Sequence, residues 1–321
     1  MPTTLSSDFI KAEALRLGFF ACGLSAAAPI DKQRAQRRER WVAEGCHAEM
    51  SYLERNEDKR RDPRLLVEGA QTVVSVALNY YTFVPDTEHG GERHIPIARY
   101  ARGRDYHDVM KQRLHALLHI LAEKYGEPSL AGSRAFVDTA PIDERYWAWR
   151  SGLGWIGKNT QLIIPGAGSY FFLGELLLTL PADNYDSPIK NRCGTCRRCL
   201  TSCPTQALSE ENGLDARRCL SYLTIEYRGE NLPEGTGRKM GNTFYGCDRC
   251  SDCCPWNKWA RPTAETDFQP SQALLNMTFE DWKKLTIEEY RKLFKGSAVK
   301  RAKYEGLTRN IRTLAEAETE E

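Results

Sequence analysis

The apolar positions of the chain fall into short runs whose period changes from segment to segment. Residues 72–81, TVVSVALNYY, are rich in β-branched and aromatic side chains and predict a buried strand. Residues 106–126, YHDVMKQRLHALLHILAEKYG, place apolar residues at three- and four-residue steps and stop at Gly126, which predicts a helix. RAFVDT (134–139) predicts a strand ending near Pro141, followed by a helix through about Arg150. TQLIIP (160–165) and YFFLGELLLTL (170–180) predict further strands. The opening MPTTLSSDFIKAEALRLGFF has early acids and no long apolar run, so it predicts a helix capped by Ser6 or Ser7, not a signal peptide. Residues 1–185 therefore predict an α/β (α+β) domain with one principal sheet. Residues 186–260 form a short-loop domain so poor in apolar residues that its folding should depend on metal. Residues 261–321 open with a proline-containing linker and continue as helices into the acidic EAETEE. The two cysteine half-motifs within 186–260 are the one internal repeat.

Those half-motifs carry the strongest chemistry. CGTCRRCLTSCP (193–204) spaces Cys193, Cys196, Cys199 and Cys203 as C-x2-C-x2-C-x3-C-P, the run of bacterial ferredoxins. In two-cluster proteins the fourth cysteine of such a run serves the other cluster. The second half, GCDRCSDCCPW (246–256), offers Cys247, Cys250, Cys253 and Cys254 before Pro255, and Cys219 stands alone between the halves. By analogy with the first run, the cysteine before proline crosses over. One [4Fe–4S] cluster then takes Cys193, Cys196, Cys199 and Cys254. The other takes Cys203, Cys219, Cys247 and Cys250, leaving Cys253 spare. Exchange of Cys253 with Cys254 is the main alternative, and the proline argues for Cys254. Zinc sites usually show two doublets instead of a triplet followed by C-P.

Composition narrows the class. The 321 residues carry 45 basic and 43 acidic side chains, so no global polyanion-binding charge is present. Nine of eleven cysteines lie within 193–254, the pattern of a metal domain in a reducing compartment and not of a secreted disulfide scaffold. Cys22 and Cys46 read as packing residues. With no apolar stretch of transmembrane length, the chain is expected to be cytoplasmic. Within 280–312 ten Lys or Arg oppose five Asp or Glu, which reads either as a solvated helical face or as a surface for an anionic polymer.

Two clusters alone make an electron carrier, yet some 185 residues precede them. No dinucleotide fingerprint and no Walker loop occur there. Asp105-x-His107 shares two residues of the D-x-H-x-x-G by which some cobalamin proteins ligate cobalt, but lacks the glycine. His115 and His119 sit four apart on a helix without a third ligand. The most suggestive stretch is FVDTAPIDERYWAWRSGLGWIGKNT (136–160). Asp138 lies near the end of a buried strand, and three Trp and a Tyr follow. Such a setting should raise its pKa and allow it to act as a general acid. The alternative is that Asp138 caps the following helix, where Thr139 or Asp143 would serve equally.

These segments resemble the epoxyqueuosine reductase family. The resemblance is carried by KRRDPRLL (59–66), GRDYHDV (103–109), VDTAPIDER (137–145), SGLGWIGKNT (151–160), RRCLSYLTIE (217–226) and the two cysteine runs, and it continues through GSAVKRAKYEGLTRNI (296–311). It implies a nitroreductase-like domain that binds cobalamin without a histidine ligand, with two [4Fe–4S] clusters feeding electrons to the cobalt. The implied reaction is reduction of epoxyqueuosine to queuosine at the tRNA wobble position, by Co(I) attack on the epoxide. It implies Asp138 as proton donor and Arg60, Leu162, Leu173 and Ser221 as cobalamin neighbours. It also implies tRNA as partner and a low-potential electron donor such as flavodoxin or ferredoxin, for a monomer with no membrane attachment. Family members commonly continue into C-terminal helical repeats, which this sequence lacks, so residues 280–312 or the cluster domain's basic rim should grip the tRNA. A reductive dehalogenase and a two-cluster electron carrier are the rival functions.

Overall fold

A computed structural model describes residues 4–82 and 95–319 of the chain. The front domain contains α1 (Ser7–Arg16), β1 (Ala21–Ala26), α2 (Lys32–Ala43), α3 (Glu57–Arg61), β2 (Thr72–Asn79), α4 (Tyr106–Tyr125), β3 (Arg134–Phe136), α5 (Glu144–Arg150), β4 (Trp155–Ile156), β5 (Leu162–Ile163) and β6 (Phe171–Leu178). Ser6 is the cap of α1, its hydroxyl accepting from the Phe9 amide at 3.3 Å. The principal sheet runs β1-β2-β6-β3. Every pairing in it is antiparallel. Alternation along β2 sends Val74, Val76 and Leu78 against α4 and α1, and Val73 against α5. Both faces are covered, which is why the strand reads as a nearly unbroken apolar run even though the sheet is antiparallel. Gly174 in β6 lets α4 approach, because a Cβ there would come within 2.9 Å of Leu114 and Met110.

β1 and α2 lie outside the predicted elements. ACGLSA has no β-branched residue, and it becomes a strand through its six-residue pairing with β2. The strand predicted over 134–139 ends at Phe136, and Asp138 adopts a positive φ of 53°.

The cysteine-rich segment differs from expectation in its packing. Tyr222, Leu223, Met240, Phe244 and Tyr245 share one core with Trp282, Phe294, Val299, Leu307, Ile311 and Leu314, and with Ile95 and Ile97. The apolar residues missing from 186–260 are supplied by the C-terminal helices, so the two segments form one hydrophobic unit. At its centre two polar side chains, Asn310 and Arg309, are paired with backbone carbonyls. Asn310, with no exposed surface, donates to the carbonyls of Thr224 at 2.7 Å and Phe244 at 2.9 Å. Buried Arg309 donates to the Leu223, Tyr227 and Gly229 carbonyls and to the Asn310 Oδ1. Asn310→Ala should therefore orphan two carbonyls and weaken the Arg309 clamp. Each orphaned group costs about 1–3 kcal/mol, so chemical denaturation should show a loss of that order, against little change for exposed Lys284→Ala.

Candidate active site and cluster cradles

Asp138 sits in the loop between β3 and α5, and the helix cap is another residue. Asp143 caps α5, accepting from the Tyr146 amide at 3.3 Å while pairing with Arg34 at 2.6 Å. Asp138 instead turns towards the start of α4. Its Oδ2 accepts from the Tyr106 hydroxyl at 2.9 Å and lies 3.2 Å from His107 Nε2. The other ring nitrogen, Nδ1, is 2.7 Å from Asp105 Oδ1, and Asp105 also caps α4 by accepting from the His107 amide. Tyr106 is held flat against Phe172, with centroids 4.2 Å apart and planes 5° apart.

These contacts correct the expected electrostatics. The hydrogen bond from His107 holds the Asp138 carboxyl below its ordinary range, against partial burial and with help from Tyr106. Trp147 and Trp155, which follow it in sequence, are themselves buried in the core. Burial disfavours the charged His107 ring, but hydrogen bonds to Asp105 and Asp138 outweigh this and raise it to about 9. At neutral pH the transferable proton therefore rests on the His107 side of the pair. With both nitrogens engaged by carboxylates and no free lone pair, His107 is unsuited to ligate cobalt. The carboxyl that is raised is Glu144, pushed to about 8 by burial and by the Asp138 charge. It accepts from the Asp138 backbone amide and so clamps the loop at its strained residue. Glu175 in β6 is fully buried, neither of its carboxyl oxygens has a hydrogen-bond partner among the described residues, and burial raises it far above its usual range.

Around this array lies a mixed rim. Tyr52 is 41% exposed, faces Asp138 and Glu226 electrostatically, and lies 5.7 Å beneath the Arg301 guanidinium. Arg301 is bound bidentately by Glu226, both contacts 2.8 Å. Arg60 donates to the carbonyls of Tyr52 and Arg55, and no carboxylate is within ion-pair distance of it among the described residues. Leu162 is buried in a small apolar cluster on which Leu173 packs while staying partly open. Ser221 is half-buried on the helix Leu220–Ile225, two residues beyond Cys219. The structure thus brings Arg60 and Asp138 to one rim through Tyr52, and Leu162 and Leu173 to one apolar floor. Among the described residues no hydrogen bond joins Ser221, Leu162 or Leu173 to Asp138. His107 and Tyr106 are the partners that sequence reasoning undervalued; the signal was their place in GRDYHDV, read there as a failed cobalt motif.

The cysteines gather in two places. A cavity is lined by Cys193, Cys196, Cys199 and Cys254, with Lys158 and Trp256 beside them. Cys253 also stands near Cys199. It does not border that cavity, and its thiol donates to the Cys250 carbonyl at 3.6 Å. In the second place Cys219 faces Cys203, Cys247 faces Cys219, and Cys250 faces both Cys247 and Cys219. Burial pushes the Cys199 and Cys247 thiols up to about 11, and raises Cys250 well above its ordinary value too. Without a metal such thiols stay protonated, and a metal cluster supplies the positive centre that would draw them into the thiolate form. The donor sets fit [4Fe–4S] clusters.

A sheet domain with a clamped acid–base array, joined to two cradles of four cysteines, defines a cluster-fed redox enzyme. The chain belongs to the epoxyqueuosine reductase family. Residues 60–139 match the family described as Epoxyqueuosine reductase QueG, DUF1730, and residues 192–257 match the 4Fe-4S double cluster binding domain. The epoxyqueuosine reductase of Cellulophaga algicola is 45% identical over 305 residues, covering 95% of this chain and 96% of its own. That of Xanthomonas campestris is 42% identical over 306 residues, covering 94% and 84%. A crystal structure of epoxyqueuosine reductase with an epoxyqueuosine-modified tRNA stem loop superposes with a TM-score of 0.84 at 28% identity, covering 96% of this chain and 80% of that one. Among the described residues no helix is long and apolar enough to cross a membrane.

Proposed function

We propose that this chain reduces epoxyqueuosine in a tRNA anticodon to queuosine, with Asp138 at the reacting atoms. The observation that carries the assignment of Asp138 is its hydrogen bonding to Tyr106 and His107, away from the helix it was free to cap. Conversion of the epoxide to the alkene consumes two electrons and two protons and releases the oxygen as water. Residues 1–185 form the catalytic domain, 186–260 the cluster domain and 261–321 its helical support. Cys193, Cys196, Cys199 and Cys254 hold one [4Fe–4S] cluster, and Cys203, Cys219, Cys247 and Cys250 the other.

The rim also fits cobalamin. A guanidinium at Arg60 with no carboxylate at ion-pair distance among the described residues, a half-buried hydroxyl at Ser221 and the apolar Leu162 and Leu173 form a set suited to a large, amide-edged macrocycle with a phosphate-bearing tail. When bound, cobalamin supplies the strongly reducing cobalt nucleophile that a strained epoxide with a poor leaving group requires. The chain's own task is the proton. His107 holds it at Nε2 against Asp138 Oδ2, Tyr106 fixes that oxygen, and Glu144 fixes the loop. Delivery to the departing oxygen then proceeds through Asp138, and His107 replenishes it. Family membership favours this reading over the dehalogenase and the electron carrier. A low-potential donor such as flavodoxin or ferredoxin completes the system, with the chain acting as a cytoplasmic monomer. Nucleoside analysis of tRNA from a deletion strain tests the function: epoxyqueuosine should accumulate, and unchanged queuosine in a strain with no second such enzyme would overturn it.

The tRNA grip needs revision at the level of residues. Of the ten cations in 280–312, Arg309 is buried, Arg301 is bound by Glu226 and Lys283 by Glu280. Lys295, Lys300 and Lys303 stay exposed, with no carboxylate at ion-pair distance among the described residues. Their joint replacement by Glu should raise the KM for tRNA and flatten its salt dependence, since each lost phosphate contact removes released counterions. An unaltered salt slope would return this face to simple solvation.

A further inference from the structure

We propose that the loop 190–198, together with Lys258 and Trp259, is the docking surface for an acidic one-electron donor protein, and that electrons are taken in at the cluster of Cys193, Cys196, Cys199 and Cys254. The inference rests on the cluster assignment above. Its first support is charge. Residues 187–209 contain Lys190, Arg192, Arg197 and Arg198 and no Asp or Glu. The nearby Glu210 is 3.2 Å from Lys158 and 3.5 Å from Arg197. Lys190, Arg192 and Arg198 are exposed, and none is within ion-pair distance of a carboxylate among the described residues. Three uncompensated cations thus surround one cysteine cradle.

The second support is an aromatic connection between surface and cradle. Trp256 lines the cysteine cavity and packs edge-on against buried Trp155, centroids 4.7 Å apart. On its other side it meets Trp259 at 5.1 Å, and Trp259 is 38% exposed, among the few large apolar side chains left in water. Exposed Lys258 lies 4.2 Å over the Trp259 ring. A rigid aromatic anchor beside cations is suited to a small acidic partner, with charge steering the encounter and the ring providing contact. The two cradles also differ in depth. Cys219 and Cys247 pack against the large core, whereas the loop bearing Cys193 and Cys196 is flanked by exposed residues on both sides. The deeper set includes Cys219 at the start of the helix Leu220–Ile225, which ends at Glu226, the partner of Arg301 over Tyr52. Electrons therefore enter at the shallow cluster and leave from the deep one. In each transfer the donor is oxidised by one electron and the cluster reduced by one, with no proton or bond change required.

Nucleic acid would also favour basic and aromatic surface, but the substrate must reach Asp138, whose rim is built by Tyr52, Arg60 and Arg301 on other elements. The test uses the anaerobic holoenzyme and its triple variant Lys190→Glu, Arg192→Glu, Lys258→Glu. Stopped-flow bleaching of cluster absorbance by reduced flavodoxin is followed across ionic strength, with dithionite as the undocked reductant. Wild type should be reduced quickly at low salt and progressively more slowly as salt rises. The variant should be about 10–10³-fold slower at low salt and nearly salt-independent, with unchanged iron content, dithionite bleaching and KM for tRNA. Equal flavodoxin rates in the two proteins would overturn the proposal. So would a raised KM for tRNA with unchanged flavodoxin reduction, which would give the surface to nucleic acid. A wild type without cluster iron would refute the cluster assignment itself, a result read before any donor is added.

Discussion

Asp138→Asn should bind cobalamin, keep both clusters and accept electrons, yet turn over epoxyqueuosine-tRNA about 10²–10⁴-fold more slowly, the range general acid catalysis contributes. Asparagine can still accept from Tyr106 and leave its amide clamped by Glu144, so loop geometry should survive. What it lacks is a carboxylate able to take the proton of His107 and pass it on. Because Asp143 already caps α5, any large loss cannot be ascribed to a missing cap. Single-turnover kinetics on fully loaded enzyme isolates the step, and near-normal rates would remove Asp138 from the chemistry. A companion pH profile follows from the same pair. The proton is present below about 9, the value to which His107 is raised, and is lost as pH rises through it. The wild-type rate should fall on that alkaline limb, and a rate that rose there would contradict His107 as the reservoir.

The second large effect concerns the cysteine pair 253/254. Cys254→Ser should cost the cluster held with Cys193, Cys196 and Cys199, and with it about half the iron, since a [4Fe–4S] centre takes four cysteines. Cys253→Ser should leave iron content intact, because Cys253 stands near Cys199 without lining the cavity, and its thiol donates to the Cys250 carbonyl. The same comparison should appear in activity, with the first variant unable to sustain multiple turnovers. Loss of iron from Cys253→Ser alone would exchange the two assignments.

The sequence by itself determined the features that depend on local spacing. Cys193, Cys196 and Cys199 recur at a pitch that one short loop can wrap around a cluster, and Cys203 followed by Pro204 leads away from it. The period of α4, the apolar run of β2 and the Ser6 cap are likewise local, and each stands within a residue or two of its predicted place. Only the tertiary structure decided what each side chain faces. Asp138 and His107 are 31 residues apart in sequence, and Asp138, at a positive φ, meets Tyr106 and His107 at the start of α4. An aromatic neighbourhood in sequence thus became an ionic one in space, and the predicted rise in pKa became a fall. Arg309 and Arg301 counted as surface cations until folding buried the first among carbonyls and paired the second with Glu226. The cluster segment read as too poor in apolar residues to hold together, because its core is completed by Trp282, Phe294 and Leu307 from some 60 residues further along. Spacing along a chain constrains what neighbours can bind together, whereas charge state and burial depend on groups that only folding brings near.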